Sequence, residues 1–157
     1  MNKILIVFLQ MVVVGSGMGG LAFLLWEPWV EGRNEHATLF QVYFHDAFLA
    51  YAYTGSIAFF VAIYKTFRLL SYVGQNKAFS SDSVKALRAI KYCALIILAF
   101  IVPALAYLLL VRPGDDIAGG VAIGLFISII SVVVMATAAI FERVVHSVVD
   151  KISVREP

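Results

Sequence analysis

The stretch KTFRLLSYVGQNKAFSSDSVKALRAIKYCA, residues 65–94, decides how this sequence folds. It carries six of the twelve Lys and Arg residues of the chain and a single acid, Asp82. On both sides of it the sequence is almost uniformly apolar. A basic segment between apolar ones is typical of the cytoplasmic side of a membrane protein, where positive charge sets the orientation of the helices. We therefore predict that residues 71–91 form the main cytoplasmic loop of an all-α membrane protein.

The composition excludes an ordinary soluble domain. The 157 residues are 62% hydrophobic and 14% charged, whereas soluble domains average roughly 45–50% and about 25%. A small domain keeps much of its surface exposed, so the excess apolar surface has to face lipid. Cys93 is the one cysteine of the chain, which excludes thiol oxidoreductases that use cysteine pairs. The length predicts one polytopic domain, 1–157.

Four apolar segments are long enough to cross a membrane, which takes about 20 residues. The first contains no charge over 23 residues, longer than the about 7–15 residues of a signal-peptide core, so we predict an uncleaved helix. An amphipathic tail, 142–157, follows the last segment. The predicted spans are 4–26, 47–70, 92–111 and 117–141.

The distribution of basic residues predicts the orientation. If the N-terminus, the central loop and the tail share one side, that side holds ten of the twelve Lys and Arg residues, and Arg33 and Arg112 lie on the other. Basic residues are enriched on the cytoplasmic side of membrane proteins. We therefore predict a multi-pass protein of the bacterial cytoplasmic membrane, in contact with the lipid bilayer, with four transmembrane helices and both termini in the cytoplasm.

Small residues recur every four positions in two of the spans. Gly15 and Gly19 share one face of the first, and Gly120, Gly124 and Ser128 share one face of the fourth. Such faces let helix backbones approach closely in a membrane. We expect these residues to be helix-packing positions at which the two faces meet, or through which the chain forms a homo-oligomer.

The sequence contains no constellation that indicates catalysis or a cofactor. No Asp, Glu, Lys, Arg or His lies in the central part of any span, although proton-coupled transporters usually require such groups. His36 and His45, with Glu35 or Asp46, suggest a metal site on the outer side, but their spacing matches no known pattern and solvated histidines remain the alternative. We expect a protein that is not an enzyme and that holds no metal or cofactor.

The basic segment has two interpretations. In one, its charges only fix orientation and lie near anionic headgroups. In the other, it docks a cytosolic protein, with Glu142 and Asp150 of the tail as internal partners for Lys85 and Arg88. No direct binding to nucleic acid is expected in either case. The candidate docking residues are Lys77, Ser80, Lys85, Arg88 and Lys91.

The runs NKAFS (76–80), SVKALR (83–88) and IKYCA (90–94) resemble the signature of a bacterial family of four-helix integral membrane proteins of unknown function. The resemblance implies no activity. Genes of that family often lie beside small helix-turn-helix regulators, which implies an anchor or sensor module that docks such a regulator. The alternative is a small transporter or a lipid- or small-molecule-binding membrane subunit.

Overall fold

The structure, a computed structural model, describes residues 3–30, 47–111 and 117–155, with side chains over 3–26, 50–110 and 117–154. Four helices make up these residues: α1 (Lys3–Val30), α2 (Ala47–Gly74), α3 (Ser81–Val111) and α4 (Ala118–Arg155). Each contains a segment long and apolar enough to cross a membrane. The predicted all-α fold with four membrane-spanning helices is therefore confirmed.

The helices pack in chain order, each antiparallel to the next. Ser71, near the end of α2, accepts a hydrogen bond of 2.9 Å from Gln10, near the start of α1. The hydroxyl of Tyr51, early in α2, donates to the carbonyl of Phe100, late in α3, at 2.8 Å. The start of α1, the connection between α2 and α3, and the end of α4 therefore share one end of the bundle.

The connection at this end is shorter than the predicted loop 71–91. Residues 71–74 belong to α2 and residues 81–91 to α3, so that only 75–80 lie between the helices. Asn76 adopts a left-handed conformation with φ 58°. The amide of Lys77 donates to the carbonyl of Tyr72 at 2.8 Å, and that of Asn76 to Val73 at 3.2 Å. This is a Schellman motif, in which Asn replaces the usual glycine and the last carbonyls of α2 gain donors.

Serine side chains fix the start of α3. The Oγ of Ser80 accepts a hydrogen bond from the amide of Ser83 at 3.3 Å, so Ser80 is the N-cap of the helix. The hydroxyl of Ser83 donates to the carbonyl of Lys77 at 3.0 Å, and Ser83 is completely buried. Because both helix ends are capped, the six-residue connection has a defined shape.

The small-residue faces do not meet each other, and that expectation is wrong. A Cβ at Gly124 would lie 2.6 Å from Leu105 Cδ2, and one at Gly120 would lie 3.4 Å from Leu108, so this face packs against α3. A Cβ at Gly15 or Gly19 would meet nothing within 4 Å. The two faces miss each other because α1 packs on α2 and α4 packs on α3.

Helix α1 instead contacts α2 through Gly17 and Gly20, and Gly20 belongs to a second small-residue pair of the sequence, Ser16 and Gly20. A Cβ at Gly20 would lie 2.7 Å from Phe59 Cε1, and one at Gly17 would lie 3.2 Å from Ile63 Cγ2. Two side chains of α2 therefore occupy the space that these glycines leave.

Helix α4 is longer than a membrane is thick. Its 38 residues span about 57 Å, against about 30 Å of hydrocarbon. The charge-free part, 117–141, is sufficient to cross, and the remainder extends beyond the membrane beside the start of α3. There, buried Val84, Leu87 and Val145 form an apolar core that Leu69 and Val149 complete.

Replacing Gly124 with Leu is expected to destabilise the fold by about 1–3 kcal/mol, because the new side chain overlaps Leu105 and forces α4 away from α3. The matched control is Gly15→Leu, whose side chain enters open space. Unfolding by SDS in mixed micelles measures both. Equal stability of the two variants would contradict the packing of this face.

A cysteine in place of Ser153, in the extension of α4, is expected to react with a membrane-impermeant maleimide only from the cytoplasmic side, because ten of the twelve basic residues lie at this end. The natural Cys93 is buried and should not interfere. The control is Asn34→Cys, between the first two spans, which should react only from outside. The reverse pattern would overturn the predicted orientation.

Candidate functional site

The five candidate docking residues lie together around the connection and the first turns of α3, but they differ in what they contact. Lys77 is exposed, and Ser80 caps the helix. The side chain of Lys85 is 72% exposed, and its Nζ lies 3.8 Å from Asp82. An exposed pair at this distance contributes little to stability. Lys77 and Lys85 therefore remain accessible to a partner.

Arg88 and Lys91 are directed at α4 instead. Arg88 Nε donates to Glu142 Oε1 at 2.7 Å, and Lys91 Nζ donates to Glu142 Oε2 at 2.5 Å. Glu142 is only 7% exposed. Each carboxylate oxygen thus has its own cationic donor, so that α3 and α4 are joined by two charge-assisted hydrogen bonds.

The sequence explains why these three side chains converge. Arg88 and Lys91 are three residues apart on α3 and therefore lie on one face of it. Glu142 is the first charged residue after the apolar span of α4, and Val145, one turn later, packs with Leu87 in the apolar core. Burial of this core sets the register of the two helices, and that register brings Glu142 to both cations.

The two cations stabilise the charged form of Glu142. The hydrogen bond from Lys91 and then that from Arg88 hold the pKa of this carboxyl, which lies beyond the charge-free span, below its usual range, although burial acts in the opposite direction. Glu142 is therefore ionised at neutral pH and compensates one of the two positive charges.

A cleft of about 500 Å³ opens beside this ion cluster. His146 and Asp150 on its wall pair with each other, with 2.8 Å between Nδ1 and Oδ2. Over the described part of the chain, no group of three or more His, Cys, Asp or Glu side chains is arranged to hold a metal. His36 and His45 lie outside the described residues. The cleft is lined by Lys91, Ala139, Glu142, Arg143, His146, Ser147 and Asp150.

The sequence suggests Glu142 and Asp150 as partners for Lys85 and Arg88, and the structure contains one such pair, Arg88 with Glu142. Lys85 contacts Asp82, Asp150 pairs with His146, and the second cation at Glu142 is Lys91. The available signal was spacing: Lys91 follows Arg88 by three residues, whereas Lys85 precedes it by three and lies farther from the membrane. The sequence analysis did not single out Phe79, which lies between Lys77 and Lys85 in the sequence and is 55% exposed.

Comparison with known proteins identifies the family. Residues 20–150 match a family described as Protein of unknown function (DUF2975). The chain belongs to this family. It is also similar to the uncharacterized membrane protein YoaS of Bacillus subtilis (strain 168), with 36% identity over 153 residues that cover 96% of this chain and 94% of that protein. No solved structure matches the chain. The resemblance to a bacterial membrane family is confirmed, and the chain is a multi-pass membrane protein.

Replacing Glu142 with Gln is expected to lower the free energy of unfolding by about 1–2 kcal/mol, because two charge-assisted hydrogen bonds become neutral and two cations lose their counter-ion. SDS titration in mixed micelles measures the change. The control is Asp150→Asn, which removes a carboxylate from a pair that is more than half exposed and should have little effect. If both variants lose the same stability, the cluster does not join α3 to α4.

Proposed function

We propose that this protein is a non-enzymatic membrane module that docks a cytosolic protein, such as a small helix-turn-helix regulator, at the capped connection between α2 and α3. The observation that carries the proposal is the exposure of Lys77 and Phe79 on a connection with capped ends and of Lys85 near the start of α3. Exposed aromatic rings are enriched at protein interfaces, and the charges of the two lysines can attract and orient an acidic partner.

The contacts of Arg88 and Lys91 support a smaller docking surface than the five residues suggested by the sequence. Arg88 and Lys91 are engaged with Glu142, so a partner would have to break this cluster in order to use them. Truncating or displacing one member of such a cluster leaves a charge without its counter-ion. We therefore assign docking to Lys77, Phe79 and Lys85, and a structural role to Arg88 and Lys91.

Charge defines the chemistry of the partner. Over residues 75–91 the sequence has four cations and one acid, Asp82, and Glu142 compensates one of the cations. The surface is therefore basic, which favours an acidic patch with an apolar pocket for the Phe79 ring. Binding of this kind weakens as salt concentration rises.

The alternative, a small transporter, has less support. The central parts of the spans contain no ionisable residue, and the cleft beside Glu142 lies at the end of the bundle rather than along the spans. Ionisable residues inside the spans commonly mark the pathways of ions and protons. The docking proposal needs only the exposed end of the bundle.

A photoreactive phenylalanine analogue in place of Phe79 is expected to crosslink one cytosolic protein in native membranes, and the double variant Lys77→Glu/Lys85→Glu should reduce its affinity about tenfold or more, because each reversal places like charges across the interface. The measurements are mass spectrometry of the crosslinked product and a binding titration with the protein that it identifies.

The matched control is Lys77→Arg/Lys85→Arg, which keeps both charges and should keep binding. The same photoreactive group at Leu110, at the opposite end of α3, should not capture this protein. Unchanged binding by the charge-reversed variant, with insertion intact, would place docking elsewhere. Capture of lipid alone would leave the basic segment with an orienting role only.

A further inference from the structure

A second cluster of basic and aromatic side chains lies on α2, apart from the ion cluster on α3 and α4. The guanidinium of Arg68 donates to the hydroxyl of Tyr72 at 2.9 Å and to that of Tyr64 at 3.2 Å. Its Cζ lies 5.5 Å from the centre of the Tyr72 ring and 5.9 Å from that of Tyr64. Lys65 Nζ lies 5.8 Å from the Tyr64 ring. Two phenol groups thus orient Arg68 from the turns before and after it.

Arg68 lies on the side of α2 that no described helix covers. At about 100° per residue, Arg68 is rotated by about 140° from Ile63, which contacts Gly17 of α1. Around the axis of α2, Arg68 is also about 100° away from Leu69, on the side opposite to Ile63. Leu69 packs against the core formed by α3 and α4. Arg68 is exposed, and Tyr64 is 54% exposed. Arg68 and Tyr64 therefore face the surroundings of the protein, whereas Lys65, which is half-buried, lies between this face and the direction of Leu69.

Apolar side chains continue the same face into the span. Ile57 and Val61 precede Arg68 by eleven and seven residues, which places both within about 20° of its direction on the helix. Ile57 is 62% exposed and Val61 is 39% exposed. The face is thus apolar along the span, where a phospholipid acyl chain lies, and cationic at its end, where an anionic headgroup lies.

Among the side chains that the structure describes, no carboxylate compensates the positive charge of the cluster. Residues 64–72 contain no acid, and within the described ranges Asp82, Glu142 and Asp150 pair with other side chains. The two tyrosine hydroxyls use only two of the five N–H donors of the guanidinium. Donors of Arg68 and the ammonium of Lys65 therefore remain for an anion, and phosphate oxygens suit both groups.

We propose that Lys65 and Arg68, oriented by Tyr64 and Tyr72, bind the phosphate headgroup of an anionic phospholipid whose acyl chain lies along Val61 and Ile57. The site is separate from the proposed docking surface and does not depend on it. Its ligand is a lipid rather than a soluble phosphate because the apolar half of the same face lies in the span.

The test is a titration of the purified full-length protein with phosphatidylglycerol and with phosphatidylcholine, followed by native mass spectrometry. The wild type is expected to bind phosphatidylglycerol more tightly, and Lys65→Gln/Arg68→Gln should weaken that binding about tenfold or more. The control Arg143→Gln/Lys151→Gln, which removes one Arg and one Lys from exposed positions of α4, should change the affinity less than about twofold.

Three results would overturn the proposal: equal binding of the two lipids by the wild type, wild-type affinity in the Lys65→Gln/Arg68→Gln variant, or displacement of phosphatidylglycerol by millimolar inorganic phosphate alone. The single variants Lys65→Gln and Arg68→Gln provide the same comparison if the double variant does not fold. Tyr64→Phe/Tyr72→Phe keeps both cations and tests whether the hydroxyls orient them, since it should weaken binding less than loss of the cations.

Discussion

The carboxylate of Glu142 joins the two helices that form the most extensive contact in this protein. It accepts hydrogen bonds from Lys91 and Arg88 of α3, next to the apolar core of Val84, Leu87 and Val145. Beyond the lipid, burial of such a core is favourable because it removes apolar surface from water. A buried carboxylate is stable there only with its charge compensated. The core and the ion cluster therefore require the same register of α3 and α4, and each supports the other.

Inside the membrane the hydrophobic effect does not hold the helices together, because lipid solvates apolar side chains as well as another helix does. The contacts there depend on shape and on single hydrogen bonds. Leu105 occupies the space above Gly124, and Phe59 occupies that above Gly20. Tyr51 donates to a carbonyl of α3, three residues before Pro103. Large apolar side chains elsewhere on the spans are exposed, as lipid contact permits.

The two proposals assign different tasks to different cations. Lys91 and Arg88 form ion pairs with Glu142 and stabilise the packing of α3 on α4. Lys77 and Lys85 are exposed at the capped connection and are assigned to a protein partner, while Lys65 and Arg68, at the end of an apolar face, are assigned to lipid. A general orienting role for positive charge is compatible with all six, since charge asymmetry across a membrane acts on the sum of the residues. The residues around each cation decide whether it stabilises the fold, faces a protein partner or faces lipid.

The sequence by itself determined the four helices, because the length of an apolar run and the need to satisfy every backbone polar group in lipid leave a helix as the outcome. It also suggested that Glu142 and Asp150 meet Lys85 and Arg88, since these charges flank two consecutive spans, but it did not decide which acid pairs with which cation. Only the tertiary structure decided which helix faces meet. Gly15 and Gly124 look equivalent in sequence, yet a Cβ at Gly124 would lie 2.6 Å from Leu105, whereas one at Gly15 would meet no described neighbour within 4 Å. The physical reason is that regularly spaced small residues allow another helix to pack closely but do not specify which helix. That helix is selected by the order in which the antiparallel helices pack.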